Sequence, residues 1–274
     1  MSPTTIPGKM TLRGPTAAPL LLDSYSGAAA AYSLRQLSWA YGGPVVRVRR
    51  DNDNAEQDFT VTEVSDGTLA AWVGAGNNGF VRTWYDQSGN GRNATQATVS
   101  LQPQIVTNGA VLNNNGKPTI DFIGDYLQTS NFGFLIVQPN TISIVFNHTT
   151  VNPSYIFYDS ADVNNRQLLT AGNLQYTMFA GTLIRNTSIS TGTKLITSVY
   201  NGASSSQFIN GVNTLNGNAG ANSLGGLTIG AAYDGTGTSP STLYIQELIC
   251  YPTNQSANRT NIEANINAYY SIYP

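Results

Sequence analysis

Short runs of β-branched and aromatic residues recur along most of this chain, and Gly, Asn, Ser or Pro closes each run. Clear examples are NTISIVFNHTT at 140–150, KLITSVYN at 194–201 and STLYIQELICYP at 241–252. Runs of this length, bounded by residues that favour turns, are typical of antiparallel strands. The Asn210-Gly211 pair inside FINGVNT adds a strong hairpin signal. The pattern predicts an all-β fold, an antiparallel two-sheet jelly-roll sandwich of the concanavalin A-like kind.

The charge content narrows the classes of partner. Only 10% of the residues are charged, against about 25% in an ordinary soluble domain, whereas 41% are hydrophobic. The net charge of −2 leaves no basic surplus for nucleic acid or an anionic membrane surface, so neither is expected as a partner. The arginines at 47–50 precede acidic residues at 51–58, which indicates local ion pairs rather than a phosphate site.

Two segments depart from the strand pattern. SGAAAAYSLRQLSWAY at 26–41 predicts a short N-terminal helix, because Ser26 can cap it and alanines favour helix. Residues 256–270 predict a C-terminal helix, with Ile262 and Ile266 on one face. We expect this second helix to cover one edge or end of the sandwich.

The N-terminal residues differ from the rest of the chain. Residues 1–25 carry prolines at positions 3, 7, 15 and 19 and show little periodicity, so they predict an extended arm. Residues 26–274 show no repeat and no further boundary, and we expect them to form the sandwich domain. An arm of this kind needs a neighbouring protein to hold it, which suggests an assembly.

The chain has one cysteine, Cys250, and one histidine, His148. One cysteine cannot form an internal disulfide, and Cys250 lies in an apolar run where burial is expected. A zinc site built from several His and Cys residues is excluded by the same counts. His148 ends a predicted strand and no nucleophile elbow is present, so we predict no Ser-His-Asp triad.

The first ten residues, MSPTTIPGKM, lack the apolar segment of a signal peptide. No run approaches the roughly 18 apolar residues of a membrane span. We therefore expect synthesis in a cytoplasm without export by the usual route. Secreted proteins of this size often carry disulfides, which fits the same expectation.

The stretch TWYDQSGNGRNATQ, 83–96, concentrates polar groups directly after a predicted strand. In one interpretation Asp86 accepts hydrogen bonds from its own loop, as in an Asx-turn, and Asn90-Gly91 supplies the positive φ of a tight turn. In the alternative, Asp86, Ser88 and Asn90 offer oxygen ligands at alternate positions to a weakly bound calcium ion. No other cofactor is expected.

Several motifs together resemble a known family. YSLRQLSWAYGGPVVRVRRDNDN at 32–54, followed by TWYDQSGNGRNATQ, resembles the opening of the arabinofuranosidase B-type catalytic domain of glycoside hydrolase family 54. FINGV, GGLTIGAAY, IQELICYP and NRTNIEANINAYY, in that order, are similar to the wider concanavalin A-like lectin/glucanase superfamily. The resemblance covers about 25–274 and implies the sandwich fold. Domains of this type also look like those of tailed-phage virion proteins.

The resemblance implies a site that this chain carries only in part. A retaining glycosidase needs two carboxyl groups about 5 Å apart. The family's acid/base aspartate matches Asp234, but the segment that resembles the region of its nucleophilic glutamate, 173–186, contains no acid. The family's neighbouring cysteine pair is absent as well. Asp159 or Asp162 can approach Asp234 from a nearby loop, and the pair Asp159–Asp234 is the substitute considered, although a missing nucleophile argues against an enzyme.

Sugar binding without hydrolysis needs an aromatic platform and planar polar groups. The candidate carbohydrate-binding residues are Tyr158, Asn173, Tyr176, Tyr233 and Asp234. The alternative is that the tyrosines are ordinary sheet residues with one polar tip.

Three functions follow from these observations. The first is a phage virion structural protein, a capsid decoration, tail-fibre or adhesion component, located in the virion and expected to bind host-surface glycans. It would be anchored to other virion proteins through its N-terminal arm and would act as a homo-oligomer or as part of an assembly. The alternative is a glycoside hydrolase of arabinofuranosidase type acting on polysaccharide. The third is an architectural sandwich with no ligand.

Overall fold

The structure is a computed structural model, and it describes residues 19–151, 154–172, 174–186 and 189–274. Its helices are α1 (Leu21–Ser24), α2 (Val61–Ser65), α3 (Thr68–Val73) and α4 (Arg259–Tyr270), with 3-10 turns at Val99–Leu101 and Gly202–Ser204. The strands of the N-terminal half are β1 (Ala30–Ser33), β2 (Val46–Arg50), β3 (Glu56–Phe59), β4 (Gly79–Trp84), β5 (Ala94–Thr95), β6 (Gln104–Thr107), β7 (Ala110–Val111), β8 (Asn113–Asn114), β9 (Lys117–Pro118), β10 (Ile120–Asp121) and β11 (Leu127–Gln128). The remaining strands are β12 (Asn140–His148), β13 (Tyr155–Asp159), β14 (Leu168–Gly172), β15 (Gln175–Phe179), β16 (Leu183–Arg185), β17 (Gly192–Tyr200), β18 (Ser205–Ile209), β19 (Val212–Gly217), β20 (Thr228–Ile229) and β21 (Leu243–Tyr251).

The strands form a mostly antiparallel sheet that is nearly barrel-shaped. One branch runs β4–β5–β11–β20–β13–β14–β15–β16, and the other runs β10–β21–β12–β17–β18–β19. Strand β6 joins the branches because it pairs with both β4 and β10. On the far side the gap is bridged by loop hydrogen bonds, from Ala180 N to Ala219 O (2.7 Å) and from Asn222 N to Ala180 O (2.8 Å). The all-β prediction is therefore confirmed at the level of strand content and antiparallel pairing.

Strand β12 shows why these sequences form buried strands. It pairs with β17 on one side and β21 on the other. Its residues alternate between two apolar surroundings: Ile144 and Phe146 lie in the main core, whereas Val145 packs in a second cluster with Ile262 and Ile266 of α4. Because both faces of the strand are covered, a nearly continuous apolar run is stable there. The predicted C-terminal helix is confirmed, although it begins at Arg259 rather than at Ser256.

The predicted helix at 26–41 is wrong. Residues Ala30–Ser33 form β1, which pairs antiparallel with β21, Ala30 opposite Cys250 and Ser33 opposite Glu247. Ala30 lies in the main core and Ala31 in the cluster under α4, so small side chains suit a strand that is covered on both faces. Tertiary packing thus overrides the helix propensity of alanine.

Three short helices were not predicted from the sequence. Helix α1 lies inside the segment expected to be an extended arm, while residues 1–18 of that arm lie outside the described residues. Helix α2 begins after a capping box: the Thr60 side chain accepts a hydrogen bond from Glu63 N, and Glu63 accepts one from Thr60 N at 2.8 Å. That T-x-x-E signal was readable in the sequence.

Two local predictions are confirmed. The turn between β18 and β19 has positive φ at both Asn210 (51°) and Gly211 (82°), as a two-residue hairpin of this twist requires. Cys250 is fully buried, and burial raises the pKa of its thiol to about 12.

Within the described part of the chain, none of the helices has the length and apolar character needed to cross a bilayer.

Candidate functional site

A row of polar side chains crosses four adjacent strands on the outer face of the sheet. Thr95 of β5 pairs with Gln128 of β11, Gln128 with Thr228 of β20, and Thr228 with Asp159 of β13. Directly paired residues of antiparallel strands point to the same face. Their neighbours along the strands point the other way and lie in the main core, namely Ala94, Leu127, Ile229 and Tyr158. The sequence therefore builds one apolar and one polar face from strands only two to five residues long.

Gln128 occupies the centre of this row. Its side-chain Nε2 donates to Thr228 Oγ1 (2.8 Å) and to the carbonyl of Tyr233 (2.6 Å). Both hydrogens of that nitrogen are thereby used. The Gln128 Oε1 has no donor among the described residues, and the side chain is only partly buried. It is a fixed acceptor for a hydroxyl group of a ligand.

Asp159 anchors the end of the row. It is fully buried and forms an ion pair with Arg166, whose Nε lies 3.0 Å from Asp159 Oδ2. The same oxygen accepts a hydrogen bond from Tyr233 N (3.1 Å). Burial raises the pKa of Asp159 above its usual value, although the Arg166 charge and these hydrogen bonds oppose that shift. Asp159 therefore holds the loop after β20 against the sheet and does not offer a free carboxylate.

Arg166 joins two loops. It belongs to the loop that follows β13, and its guanidinium lies 4.8 Å from the centre of the Tyr233 ring in the loop that follows β20. Tyr233 is partly exposed, so one edge of this stacked pair faces solvent. The arrangement presents an aromatic ring and a cation side by side, which is a suitable platform for a sugar ring.

Asp234 extends into solvent from the same loop. Its Oδ1 accepts hydrogen bonds from Thr236 Oγ1 (2.7 Å) and Thr236 N (3.1 Å). These bonds lower the pKa of Asp234, and the nearby charge of Arg166 lowers it further. Asp234 is thus an ionised, accessible carboxylate at neutral pH.

Asp162 is the second carboxylate that solvent can reach in this region. It is half-buried, and its two oxygens accept hydrogen bonds from Asn164 N (2.9 Å) and Asn165 Nδ2 (2.8 Å). The backbone of Gly225 approaches it so closely that an added Cβ there would lie 2.8 Å from the Cβ of Asp162. The pair considered from the sequence, Asp159–Asp234, is poorly suited to chemistry because Asp159 is enclosed, and of the two aspartates near Arg166 only Asp162 is partly exposed.

A groove leads away from this region over the outer face. A surface cavity of about 330 Å³ is lined by Thr95, Tyr126, Gln128 and Ser130 among others. A second cavity of about 450 Å³ shares Thr95 and Ser130 with it, so the two cavities are adjacent. The Tyr126 ring packs against Gly235, the residue after Asp234, which places the acidic loop beside one end of the groove.

Two of the predicted sugar-binding tyrosines are in the core instead. Tyr158 is fully buried with its hydroxyl 3.0 Å from that of Tyr200, and Tyr176 is buried with its hydroxyl 2.8 Å from His148 Nε2. Both side chains fall on the inward face of their strands, so neither contacts a bound sugar. Tyr233 and Asp234 do lie together on the surface, whereas Asn173 lies outside the described residues.

The loop around Asp86 has the geometry of an internal acceptor. Asp86 Oδ1 accepts from Ala31 N and Ser88 N, both at 2.9 Å. Its Oδ2 accepts from Ser88 Oγ (2.8 Å) and Arg92 N (3.0 Å). Asn90 turns its amide nitrogen to the carbonyls of the adjacent segment, at 3.0 and 3.1 Å. Asp86 is buried, so these four bonds fasten the loop to β1 and explain its conformation.

The calcium interpretation of Asp86, Ser88 and Asn90 stays a prediction. Both Asp86 oxygens already accept two protein donors each, and a cation would have to displace some of them. Across the described ranges, no group of three or more His, Cys, Asp or Glu side chains is placed to hold a metal ion.

Replacing Asp86 by Asn is expected to lower the free energy of unfolding by about 1–2 kcal/mol. The NH₂ group of Asn would replace Oδ2, and it cannot accept the hydrogen bonds that Ser88 Oγ and Arg92 N donate to that oxygen. Urea unfolding of both proteins, with and without millimolar calcium, measures this. The matched control is Asp66→Asn in an exposed turn, where Asp66 accepts from Thr68 N and no change is expected. Stabilisation by calcium that Asp86→Asn abolishes would instead support the metal site.

Sequence reasoning missed Gln128, Thr228 and Arg166. Their roles arise from strand register and from a loop that folds back over the sheet, and neither is visible in the local pattern. The one readable signal was the arginine that follows YDSADVNN, since a cation four to seven residues after two aspartates can pair with one of them.

Comparisons of sequence find nothing: no protein-family model matches the chain, and no curated protein matches it. Comparisons of structure do find similar proteins. An arabinofuranosidase complexed with arabinofuranosyl-alpha-1,2-xylobiose aligns with a TM-score of 0.71 and 14% identity over 90% of this chain. A GH54 α-L-arabinofuranosidase soaked with a cyclic sulfate inhibitor aligns with a TM-score of 0.64 and 15% identity, again over 90% of this chain.

The match covers only part of those enzymes. This chain spans 64% of the length of each of the two solved structures. At 14% and 15% identity the likeness concerns the fold and not the activity. The chain therefore has the β fold that these arabinofuranosidases contain, which agrees with the resemblance found in its sequence.

Proposed function

We propose that this chain is a glycoside hydrolase that binds polysaccharide in the groove and cleaves arabinofuranosyl-type linkages beside Asp234. The observation that carries the proposal is that Asp234 and the Arg166–Tyr233 pair lie together beside that groove, with Asp162 on the loop that carries Arg166. The similarity in fold to arabinofuranosidases adds to it. The finer architecture we propose is a two-sheet jelly roll, whose outer face carries the polar row.

The roles follow from the surroundings of each carboxylate. Asp234 occupies the acid/base position that the sequence resemblance implies. Its pKa is lowered in the free protein, and exclusion of water by a bound sugar would raise it, so that Asp234 takes up from solvent the proton that the leaving group needs. We assign the second carboxylate that a glycosidase needs to Asp162, the partly exposed aspartate on the loop that carries Arg166. Asp159 is a positioning residue, since it fixes the backbone of Tyr233 and pairs with Arg166.

Neutral side chains orient the substrate in this proposal. Gln128 Oε1 accepts a sugar hydroxyl, and the partly exposed ring of Tyr233 packs on an apolar sugar face. A site of this composition suits uncharged furanose or pyranose rings next to the reacting bond.

The direct test is incubation of the purified chain with arabinoxylan and arabinan, with the released sugars measured by anion-exchange chromatography. We expect free arabinose to accumulate. Retention of the protein on the insoluble polysaccharide without release of sugar would instead favour a lectin-like role. If the protein neither released sugar nor was retained on the polysaccharide, the proposal would be contradicted.

The virion role predicted from the sequence stays a prediction, together with the virion proteins expected as its partners. Most of the arm that was expected to anchor it, residues 1–18, lies outside the described residues. Association of the protein with purified phage particles would test it.

A further inference from the structure

The second cavity of the groove, about 450 Å³, has a chemistry of its own. It lies between the loop after β4 and the loop after β11, on the side away from Asp234, and Arg92, Asn93, Asn131 and Phe132 are among its lining residues. None of these residues was singled out from the sequence as a site. The polar groups of this cavity that have no hydrogen-bond partner in the protein determine which ligand it can bind.

Two asparagines turn donors outward. Asn93 Oδ1 accepts a hydrogen bond from Asp86 N (3.0 Å), and Asn131 Oδ1 accepts one from Gly133 N (3.1 Å). A backbone N–H can bond only the oxygen of an amide, so these contacts fix which end of each amide is which. The NH₂ group of each side chain is therefore the free end, and neither has a partner among the described residues.

Arg92 adds a cation. Its Nη1 donates to the carbonyl of Ala29 (2.6 Å), and its guanidinium lies 4.6 Å and 4.7 Å from the ring centres of Phe132 and Phe134. These contacts hold the guanidinium in place, while the N–H groups of its Nε and Nη2 remain available to donate to a ligand. Arg92 forms no ion pair with any residue that the structure describes; the nearest loop acid, Asp86, is buried and already bonded by four donors.

The aromatic wall is anchored independently. Phe132 N donates to the carbonyl of Gly225 (2.9 Å), which ties this loop to the loop before β20. Phe132 lines the cavity and is half-buried, whereas Phe134, 48% exposed, contacts Arg92 and lines a neighbouring cavity. Phe rings offer apolar surface to the C–H face of a pyranose.

From these contacts we infer that the cavity binds the carboxylate of a uronic acid residue in a polysaccharide, one or more sugars away from the cleaved bond. The two amide NH₂ groups and the fixed guanidinium are free donors, and a planar fork of this kind matches a carboxylate. A neutral sugar could use the acceptors of the cavity, Asn90 Oδ1 and the hydroxyls of Thr95 and Ser130, but it would leave the Arg92 charge unpaired. The site belongs to substrate recognition and does not depend on hydrolysis.

Calorimetric titration of the intact protein with tri-galacturonate tests this, with a neutral galactose trisaccharide and sodium acetate as comparison ligands. We expect tri-galacturonate to bind at least about tenfold more tightly than either, since charge-assisted hydrogen bonds are roughly twice as strong as neutral ones. Its affinity should fall as salt is raised. Equal affinity for the neutral trisaccharide would overturn the inference, and equal affinity for acetate would show that no sugar is recognised.

The sharpest variant is Asn131→Asp. It keeps the oxygen that accepts from Gly133 N and replaces the outward NH₂ by a carboxylate oxygen, so folding should be unaffected while tri-galacturonate affinity falls at least about tenfold. The matched control is Asn218→Asp, because Asn218 also accepts from a glycine N–H two residues on, at 2.9 Å, on an exposed loop outside the cavity. Unchanged affinity in Asn131→Asp, or an equal loss in the control, contradicts the site.

The experiments distinguish an incorrect carboxylate site from an incorrect proposal of hydrolysis. A protein that releases no arabinose but still prefers tri-galacturonate would refute only the hydrolysis, and one that releases arabinose without this preference would refute only the carboxylate site. Arg92→Gln should lose the preference for the acidic trisaccharide while its binding of neutral sugars persists. A preference that survives this change would rule out Arg92 as the recognising cation.

Discussion

Changing Asp234 to Asn is expected to lower kcat for arabinose release by about 10²–10⁴-fold, the range usually seen when a general acid–base group is removed. Asn keeps the size and the acceptor oxygen that bonds Thr236, so the loop should stay in place. It cannot ionise or transfer a proton. Initial rates on arabinoxylan, with retention on the same polysaccharide measured in parallel, separate loss of chemistry from loss of binding.

Asp66→Asn is the control that matches this change most closely. Asp66 is an exposed aspartate whose pKa is lowered by hydrogen bonds from Thr68, two residues on, just as Asp234 is held by Thr236. We expect the control to keep full activity. Asp162→Asn should reduce kcat as strongly as the change at Asp234. A loss confined to Asp162 would show that Asp234 only shapes the loop, and full activity in both variants would remove this pair from the mechanism.

Local patterns in the sequence were enough to place most strands. β12, β17 and β21 are long apolar runs that end at turn residues, and the Asn210-Gly211 hairpin follows from the positive φ that both residues tolerate. The failures occur where packing between distant segments decides. The alanines of β1 form a strand because it pairs with β21 and is covered by the main core on one face and by α4 on the other, a fact that no local window contains.

The candidate site was harder to predict for a related reason. Thr95, Gln128, Thr228 and Asp159 meet through register between strands far apart in sequence, three of which are only two residues long. Sequence alone does not fix that register. It also does not say which face a residue takes. Tyr158 and Asp159 are neighbours on opposite faces of β13, and the sequence, which does not show these faces, suggested Tyr158 as a sugar-binding residue and Asp159 as a catalytic carboxylate.

Arg166→Met is expected to lower the free energy of unfolding by about 3 kcal/mol, the lower end of the range for breaking a buried ion pair, because Arg166 itself is 28% exposed. The fully buried Asp159 would lose its cation, and the Tyr233 ring its guanidinium partner. The matched control is Arg47→Met. Arg47 also bonds an aspartate, Asp58, through two nitrogens, but both side chains are about 40% exposed, so about 1 kcal/mol or less is expected.

The pH dependence of this loss identifies Asp159 as its cause. Without Arg166 the pKa of Asp159 in the folded protein rises further above its unfolded value of roughly 4, because burial then acts unopposed. Between those two values the folded state binds more protons than the unfolded state, so stability increases as the pH is lowered. Urea unfolding at pH 8 and pH 5 should therefore show a smaller deficit at pH 5. The double variant Asp159→Asn/Arg166→Met has no carboxylate to protonate at this position, so it should lack this recovery. If the single variant Arg166→Met showed the same deficit at both pH values, its loss of stability would come from lost packing against Tyr233 and not from the buried charge.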